Sequence, residues 1–521
     1  RCGLQPQLIE SHMSQTDKAA AEREILQDAQ RRGKLATFLA YFRLSGPGWL
    51  QSAITLGGGS LASSLYLGVL TGVAMLWLQP LAMVLGIIML SAIGYVTMST
   101  GKRPFRAINE HVNPVLGWSW ALASLAANMV WCLPQYSLAN SVLEQTLLPA
   151  KTGDDLASQR LIIVGVILFI TTMITWSYGS GNRGVKIYEL MLKILVAVIV
   201  LSFIAVVVVL STSGGLSWSE IGRGLIPDFS RFSEPAEQFR APLLELSEKT
   251  RIFWTGYIVG EQRNVMISAA ATAVGINMTF LFPYTILKKG WTREFRGLCV
   301  FDLFTGMLIP FVLATSCVII AAASQFHGPS KPIEGYLGET KNGKVVIPKS
   351  LQGVLKARLK AEPEDDELYK GKSDDEKVML LHAKLKAVPD QTELKIAASL
   401  AKRDANHLAG ALKPLADNDF GKVVFGIGVL GMTLSTISLL MLISGFVVCE
   451  ILNVEPTGWP FRLGTLLAAT GVLGPFVWSG AGFYLAVPTS IFGMSLLPLA
   501  YLTFFLLMNQ RKVLGNDTPT G

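Results

Sequence analysis

The residues best placed for chemistry lie in two interrupted apolar stretches. The first is GPGWLQSAITLGGGSLASSLYLG (46–68), with Gly57, Gly58 and Gly59 in a row, Ser60 after them and Thr55 just before. Three consecutive glycines weaken a helix by roughly 1 kcal/mol each relative to alanine. Unwound backbone at membrane depth persists only where protein or a water-filled cavity satisfies its amides and carbonyls. The second is ISAAATAVGINMTFLFPYTILKKGW (267–291), in which Gly275, Asn277, Thr279 and Pro283 interrupt the apolar run. Together they offer hydroxyls, one amide, and the dipole ends of half-helices. A half-helix N-terminus favours anionic groups, and freed carbonyls favour cations. Asn128 and Gln135, seven residues apart, can face the same cavity from a third helix. The plainer readings are a small-residue packing seam, a proline kink, and hydroxyls bonded to their own helix backbone.

Charged chemistry is displaced from this centre. Glu144, Glu189, Asp302 and Glu450 fall near the ends of apolar stretches, and His12, His111, His327, His382 and His407 fall outside them. Neither a dehydrated transition metal nor a proton relay finds its usual groups. No nucleophile–base pair or metal triad is placed for catalysis, so an enzyme is not expected. No cofactor is expected either.

These residues must be positioned by membrane helices. The chain has 521 residues, 51% of them hydrophobic and only 16% charged. Runs of about 20 apolar residues recur, which marks an all-α polytopic membrane protein whose first partner is the lipid bilayer. Ten spans are expected, at 46–69, 73–99, 115–147, 160–179, 186–211, 264–287, 298–323, 421–449, 463–480 and 482–508. The net charge of +8 does not point to nucleic acid. The basic residues cluster in short loops: Lys102, Arg103 and Arg106; Arg183 and Lys186; Lys288, Lys289, Arg293 and Arg296; Arg511 and Lys512. All fall on one side, which predicts cytoplasmic termini. The cysteines, Cys2, Cys132, Cys299, Cys317 and Cys449, show no paired spacing, and no disulfide is expected.

Residues 1–12 read as a non-native appendage before a native start at Met13. Residues 13–44 read as a cytoplasmic lead-in. The membrane core then occupies 45–325, with an outer loop at 212–263, and 419–515. A charged helical insert at 326–418 sits on the outer face, with a short tail at 516–521. Charge runs such as EPEDDE (362–367) read as solvated faces.

Interrupted helices at spans one and six are the signature of an inverted repeat. The chain resembles the natural resistance-associated macrophage protein (NRAMP) family of divalent-metal transporters, and more closely its divergent NRAMP-related branch. GPG (46–48) and GGGS (57–60) stand where the family opens and breaks span one. GNRGVKIYE (181–189), LSWSEIGRGLIPDF (216–229), Asp302 and NQRKVLG (509–515) match in order and spacing. The resemblance covers about residues 40–515 apart from the insert. It implies a LeuT/APC-type 5+5 inverted repeat with helices 1 and 6 broken. It also implies carbonyl donors at Ile54 and Ile276. The family's metal-binding aspartate and asparagine correspond here to Gly57 and Ser60. Its methionine corresponds to Thr279, with Met278 one residue away and facing differently. Its acidic proton path corresponds to Ser124, Trp131 and Pro134, and its span-six histidine to Leu281.

The expected substrate site therefore comprises Ile54, Thr55, Gly57, Gly58, Gly59, Ser60, Ile276, Asn277 and Thr279, with Asn128, Trp131, Gln135 and Met278 lining the cavity. The leading expectation is a secondary carrier of a metal cation, with magnesium carried largely hydrated as the natural candidate. The alternatives are a carrier of a small anion, zwitterion or neutral solute, and a non-transporting sensor on the same fold. A bacterial inner membrane is the expected location.

Overall fold

The computed structural model describes residues 15–148, 153–177, 197, 200–341, 344–362, 367–414, 418–477 and 482–519. Residues 1–12, the motif at 181–189 with Arg183 and Lys186, most of the fifth expected span, and most of the acidic run 362–367 lie outside the described residues.

Two helices lead in, α1 (Gln15–Arg32) and α2 (Lys34–Leu44), hinged at Gly33, whose φ of 108° a side chain would strain. The first broken span follows as α3 (Pro47–Thr55) and α4 (Gly58–Thr71), bent by 53°. Next come α5 (Leu78–Thr100), the short α6 (Pro104–His111), α7 (Pro114–Val142) with a wider final turn at Leu143–Leu147, and α8 (Asp154–Ser177). Of the fifth expected span, the described part is α9 (Val200–Thr212). After α10 (Trp218–Gly224) and α11 (Glu237–Leu244), the second broken span is α12 (Glu248–Ala271) and α13 (Ile276–Lys289). The seventh is α14 (Arg296–Leu303) running through one wide turn into α15 (Ile309–Phe326). The insert holds the antiparallel pair β1 (Glu339–Lys341) and β2 (Lys344–Val346), in register Glu339 to Val346. It continues with α16 (Lys349–Leu359), α17 (Asp374–Ala387), α18 (Thr392–Ser399) and α19 (Ala405–Ala409). The chain closes with α20 (Asn418–Ile451), α21 (Gly458–Leu467), α22 (Gly474–Val477), α23 (Ala486–Met508) and α24 (Arg511–Leu514). Among the described residues, eight helical segments are long and apolar enough to cross a membrane, and the bent α3–α4 pair makes a ninth. Lipid-facing side chains remain uncovered, as on α8, where Leu161, Ile162, Val166, Phe169 and Met173 are exposed.

Two differences from the sequence expectation concern the broken spans' outlines. Span six starts at Glu248, not near residue 264, so the expected outer loop 212–263 holds α10, α11 and much of α12. At 1.5 Å per residue α12 is about 36 Å long, more than half a bilayer, so its first turns project. Glu261 and Arg263 lowered the local hydropathy without breaking the helix. Span one breaks at Leu56 and Gly57 alone, because Gly58, Gly59 and Ser60 already form the first turn of α4.

Among the described residues, the two larger apolar clusters divide at the level of the breaks. One body joins Leu61, Leu65 and Leu67 of α4 to Trp254 of α12 and to Leu351, Leu381 and Leu408 of the insert. The other joins Ile54 of α3 to Phe280 and Phe282 of α13 and to Leu298 and Phe504. We refer to these as the insert side and the terminal side. On the terminal side, Asp302 of α14 accepts the backbone N–H groups of Gly46 (2.9 Å) and Gly48 (2.6 Å), which α3 cannot satisfy internally.

Candidate functional site

A cavity of about 50 Å³ opens where the two breaks meet α7, α20 and α23. Its walls follow from local geometry. Gly57 is extended at φ −85°, which ends α3 and starts α4 without a side-chain cap. Gly275 is extended at φ −94° and does the same for α13. There the ring of Trp131 on α7 occupies the space a Cβ would need, so the break is wedged by an aromatic side chain that only glycine admits. The Trp131 indole Nε1 donates to the Thr489 carbonyl at 2.8 Å and is thereby fixed. Three residues further on, Pro134 lacks the N–H that would bond the fourth carbonyl back, and it also lines the cavity.

The expected residues divide into two groups. Ile54, Thr55, Gly57, Gly59, Ser60, Trp131, Gln135 and Met278 line the cavity. Gly58, Asn128, Ile276, Asn277 and Thr279 do not. Gly58 is packed against the Thr433 methyl, the Gln135 side chain and Leu138. Asn277 and Thr279, expected in the second break, are helical, since the break is Thr272–Gly275. Asn277 turns its Oδ1 back to the Met278 N–H at 2.9 Å. Thr279 accepts the Trp120 indole N–H at 2.9 Å and donates to the Ile276 carbonyl, so that carbonyl already has a partner. Met278 takes the place in the wall that Thr279 was expected to fill, with its sulfur 3.4 Å from the Gly275 N–H. One turn of α13 decides this: starting the helix at Ile276 rotates residue 278 toward the cavity and 279 toward α7. Asn128 is fully buried, and neither atom of its carboxamide has a partner.

Sequence reasoning missed the contributions of α20 and α23. Thr436 and Leu440, with Ala486, Thr489 and Ser490, complete the wall. Their signal was weak, a few hydroxyls in long apolar runs, which membrane helices carry for packing as well.

Five of the six lining hydroxyls share one orientation, Thr272 among them with a bond to the Ala269 carbonyl (2.8 Å). Thr55 donates to the Gln51 carbonyl (2.9 Å), Ser60 to Gly57 (2.9 Å), Thr436 to Met432 (2.8 Å) and Thr489 to Leu485 (2.8 Å). A hydroxyl has one proton, and each is committed to its own helix. What these oxygens can offer the cavity is therefore lone pairs. Gln135 Oε1 is buried without a partner beside Gly58, and its Nε2 stands beside Gly59. Among the described residues no set of three His, Cys, Asp or Glu side chains is grouped to hold a metal ion.

The terminal side below the cavity is bolted. Arg103 pairs with Glu450 (3.3 Å) and Glu455 (3.1 Å), and the Tyr284 hydroxyl on α13 donates to Glu450 on α20. The Arg103 guanidinium lies 5.5 Å from the Tyr284 ring centroid.

This architecture has known counterparts. Two variant crystal structures of the manganese transporter of Eremococcus coleocola match at a TM-score of 0.58, with 13% and 14% sequence identity, covering 93% of this chain and 82% of that one. A complex of that transporter with an aromatic bis-isothiourea substituted compound matches at 0.56 and 14% identity, with the same coverage. The likeness shows the fold, an inverted repeat of five and five spans with the first and sixth broken. No curated protein matches the chain at a significant level. The family model for natural resistance-associated macrophage protein-like sequences matches residues 48–338 and 386–521, passing over residues 339–385 of the insert. With that match over most of its length, on this fold, the chain belongs to the natural resistance-associated macrophage protein-like family.

Proposed function

We propose that the chain is a secondary carrier of a small metal cation that crosses the cavity with most of its water shell, magnesium first. The observation that carries this is the uniform direction of the hydroxyls of Thr55, Ser60, Thr436 and Thr489. Water held by a cation points its protons outward, and a wall of lone pairs accepts them. Stripping a divalent cation instead requires compensating negative charge, and none of the lining residues is acidic. Magnesium dehydrates reluctantly and commonly keeps several waters. Family membership and the fold support cation transport as the class. In this reading the broken-helix residues Ile54, Thr55, Gly57, Gly59 and Ser60, with Gln135 and Met278, form the site. The basic residues of the short loops support cytoplasmic termini with the insert outside, and a bacterial inner membrane is the proposed location.

A second reading rests on α4. Its first amides, Gly58 to Ser60, precede any intrahelical acceptor and have no side-chain cap. That end would suit the carboxylate of a zwitterion, whose ammonium group would meet the same lone pairs.

Uptake by proteoliposomes separates these readings. Magnesium influx that neither glycine nor alanine inhibits supports the first, and saturable amino-acid influx without metal supports the second. Absence of flux for every solute would leave a sensor on the same fold. Lys370 is exposed on the insert, and a cysteine placed there reacts with an impermeant reagent from outside if the orientation is right.

A further inference from the structure

On the insert side stands a cluster that the cavity does not use. Tyr66 of α4 lies six residues, roughly 9 Å, beyond Ser60. It meets Tyr484 edge to face, with ring centroids 5.4 Å apart, and Tyr484 is two residues from the lining residue Ala486. The Tyr484 hydroxyl donates to Glu261 Oε2 of α12 at 2.6 Å. The elements that carry the cavity thus also carry a carboxylate and two aromatic rings on its insert side.

The insert reaches into this cluster. Lys402 Nζ lies 3.8 Å from the Tyr484 ring centroid. Burial pushes the Lys402 ammonium below its ordinary range, and Glu261 pulls the other way. The next residue, Arg403, is 2% exposed and donates to the carbonyls of Ser399 (3.1 Å), Phe326 (3.4 Å) and Lys331 (3.1 Å), while its own carbonyl accepts the Tyr66 hydroxyl at 2.8 Å. Arg403 therefore anchors this loop, together with the Ala405 N–H, which donates to Gln145 Oε1 at 3.1 Å. Lys402 adds a desolvated positive charge that docking does not require.

A ring face beside a carboxylate is a receptor for a cation. We propose that Glu261 and Tyr484 form an outer cation station on the way to the cavity, and that Lys402 is a tethered occupant which an arriving cation must displace. The insert then acts as a competitive plug. This inference rests on the cation reading above, and its test is chosen so that the two can fail separately.

The test uses full-length protein in proteoliposomes. Ser490→Cys lines the cavity and reports access from the insert side through its rate of labelling by an impermeant thiol reagent, against the same background without the added cysteine. Lys402→Met should speed labelling at least fivefold, Lys402→Gln should do the same, and Lys402→Arg should stay within twofold of wild type. Adding Mg²⁺ outside should speed labelling in the Lys402-intact protein, and Glu261→Gln should remove that response. Unchanged labelling in Lys402→Met and Lys402→Gln, at unchanged melting temperature, would overturn the plug. A labelling response to Mg²⁺ that persists in Glu261→Gln would overturn the station. Labelling that responds as expected, without Mg²⁺ uptake, would uphold the station and sink the carrier.

Discussion

The hydroxyl of Thr436 occupies the space that a Cβ on Gly57 would need. That hydroxyl is itself bonded to the Met432 carbonyl, and the Ile54 carbonyl stands 3.0 Å from the same point. The break in span one is therefore closed around a hydrogen atom, and its glycine has a different role from the two that follow.

Gly57→Ala should destabilise the fold by about 1–3 kcal/mol, the usual cost of overpacking a fixed wall. Gly59→Ala should be neutral or slightly stabilising, since its Cβ would meet only Gln135 Nε2, at 3.5 Å. Gly59→Asp, whose Cβ has the same room, then adds a carboxylate to the cavity wall. Calorimetry with Mg²⁺ should show at least tenfold tighter binding to this variant. Loss of all Mg²⁺ binding would count against the cation reading.

Asp302→Asn should loosen the start of span one. The Gly46 and Gly48 amides would lose a charged acceptor, and charge-assisted bonds of this kind contribute about 1.5–3 kcal/mol. The expected signature is faster hydrogen exchange at residues 46–50, with α4 unaffected. Uniform exchange across both halves of the span would show that the two halves do not open separately.

His327 caps α15 on the insert side, buried, with its Nδ1 2.9 Å from the Val69 carbonyl. Burial holds its pKa down at about 4. The unfolded chain, near 6.5, therefore binds a proton that the folded chain refuses between those values. Stability from this group is complete above pH 6.5 and is lost as pH falls toward 4, by roughly 3 kcal/mol in full. Melting of wild type should drop between pH 7 and pH 5, and His327→Asn should shrink that drop.

Proton coupling by the usual relay is not expected. Ser124 donates to the Trp120 carbonyl at 2.8 Å, and Trp131 and Pro134 carry no titratable proton near neutral pH. A pH dye trapped in proteoliposomes should report no acidification linked to substrate influx. Stoichiometric proton entry would reveal a relay elsewhere.

Much of the fold was legible because hydropathy and paired glycine breaks are additive signals along the chain. The rest depended on rotation about helix axes. Sequence spacing could not say that α13 starts at Ile276, and that single boundary sends Met278 to the cavity and Thr279 to Trp120. Nor could it show which of the many hydroxyls in α20 and α23 face inward. Thr436 and Thr489 emerge only once five helices converge. The span-six start was hidden for a different reason. Glu261 looks like a loop residue until Tyr484 supplies its partner.

The wedge of Trp131 against Gly275 also bears on descent. Neither position can drift alone. A side chain at 275 needs a smaller residue at 131 first, and a smaller residue at 131 leaves Gly275 with nothing to hold it open. Sequences diverging from this one should change the two positions together or leave both untouched, so the pair serves as an inherited marker for this form of the cavity.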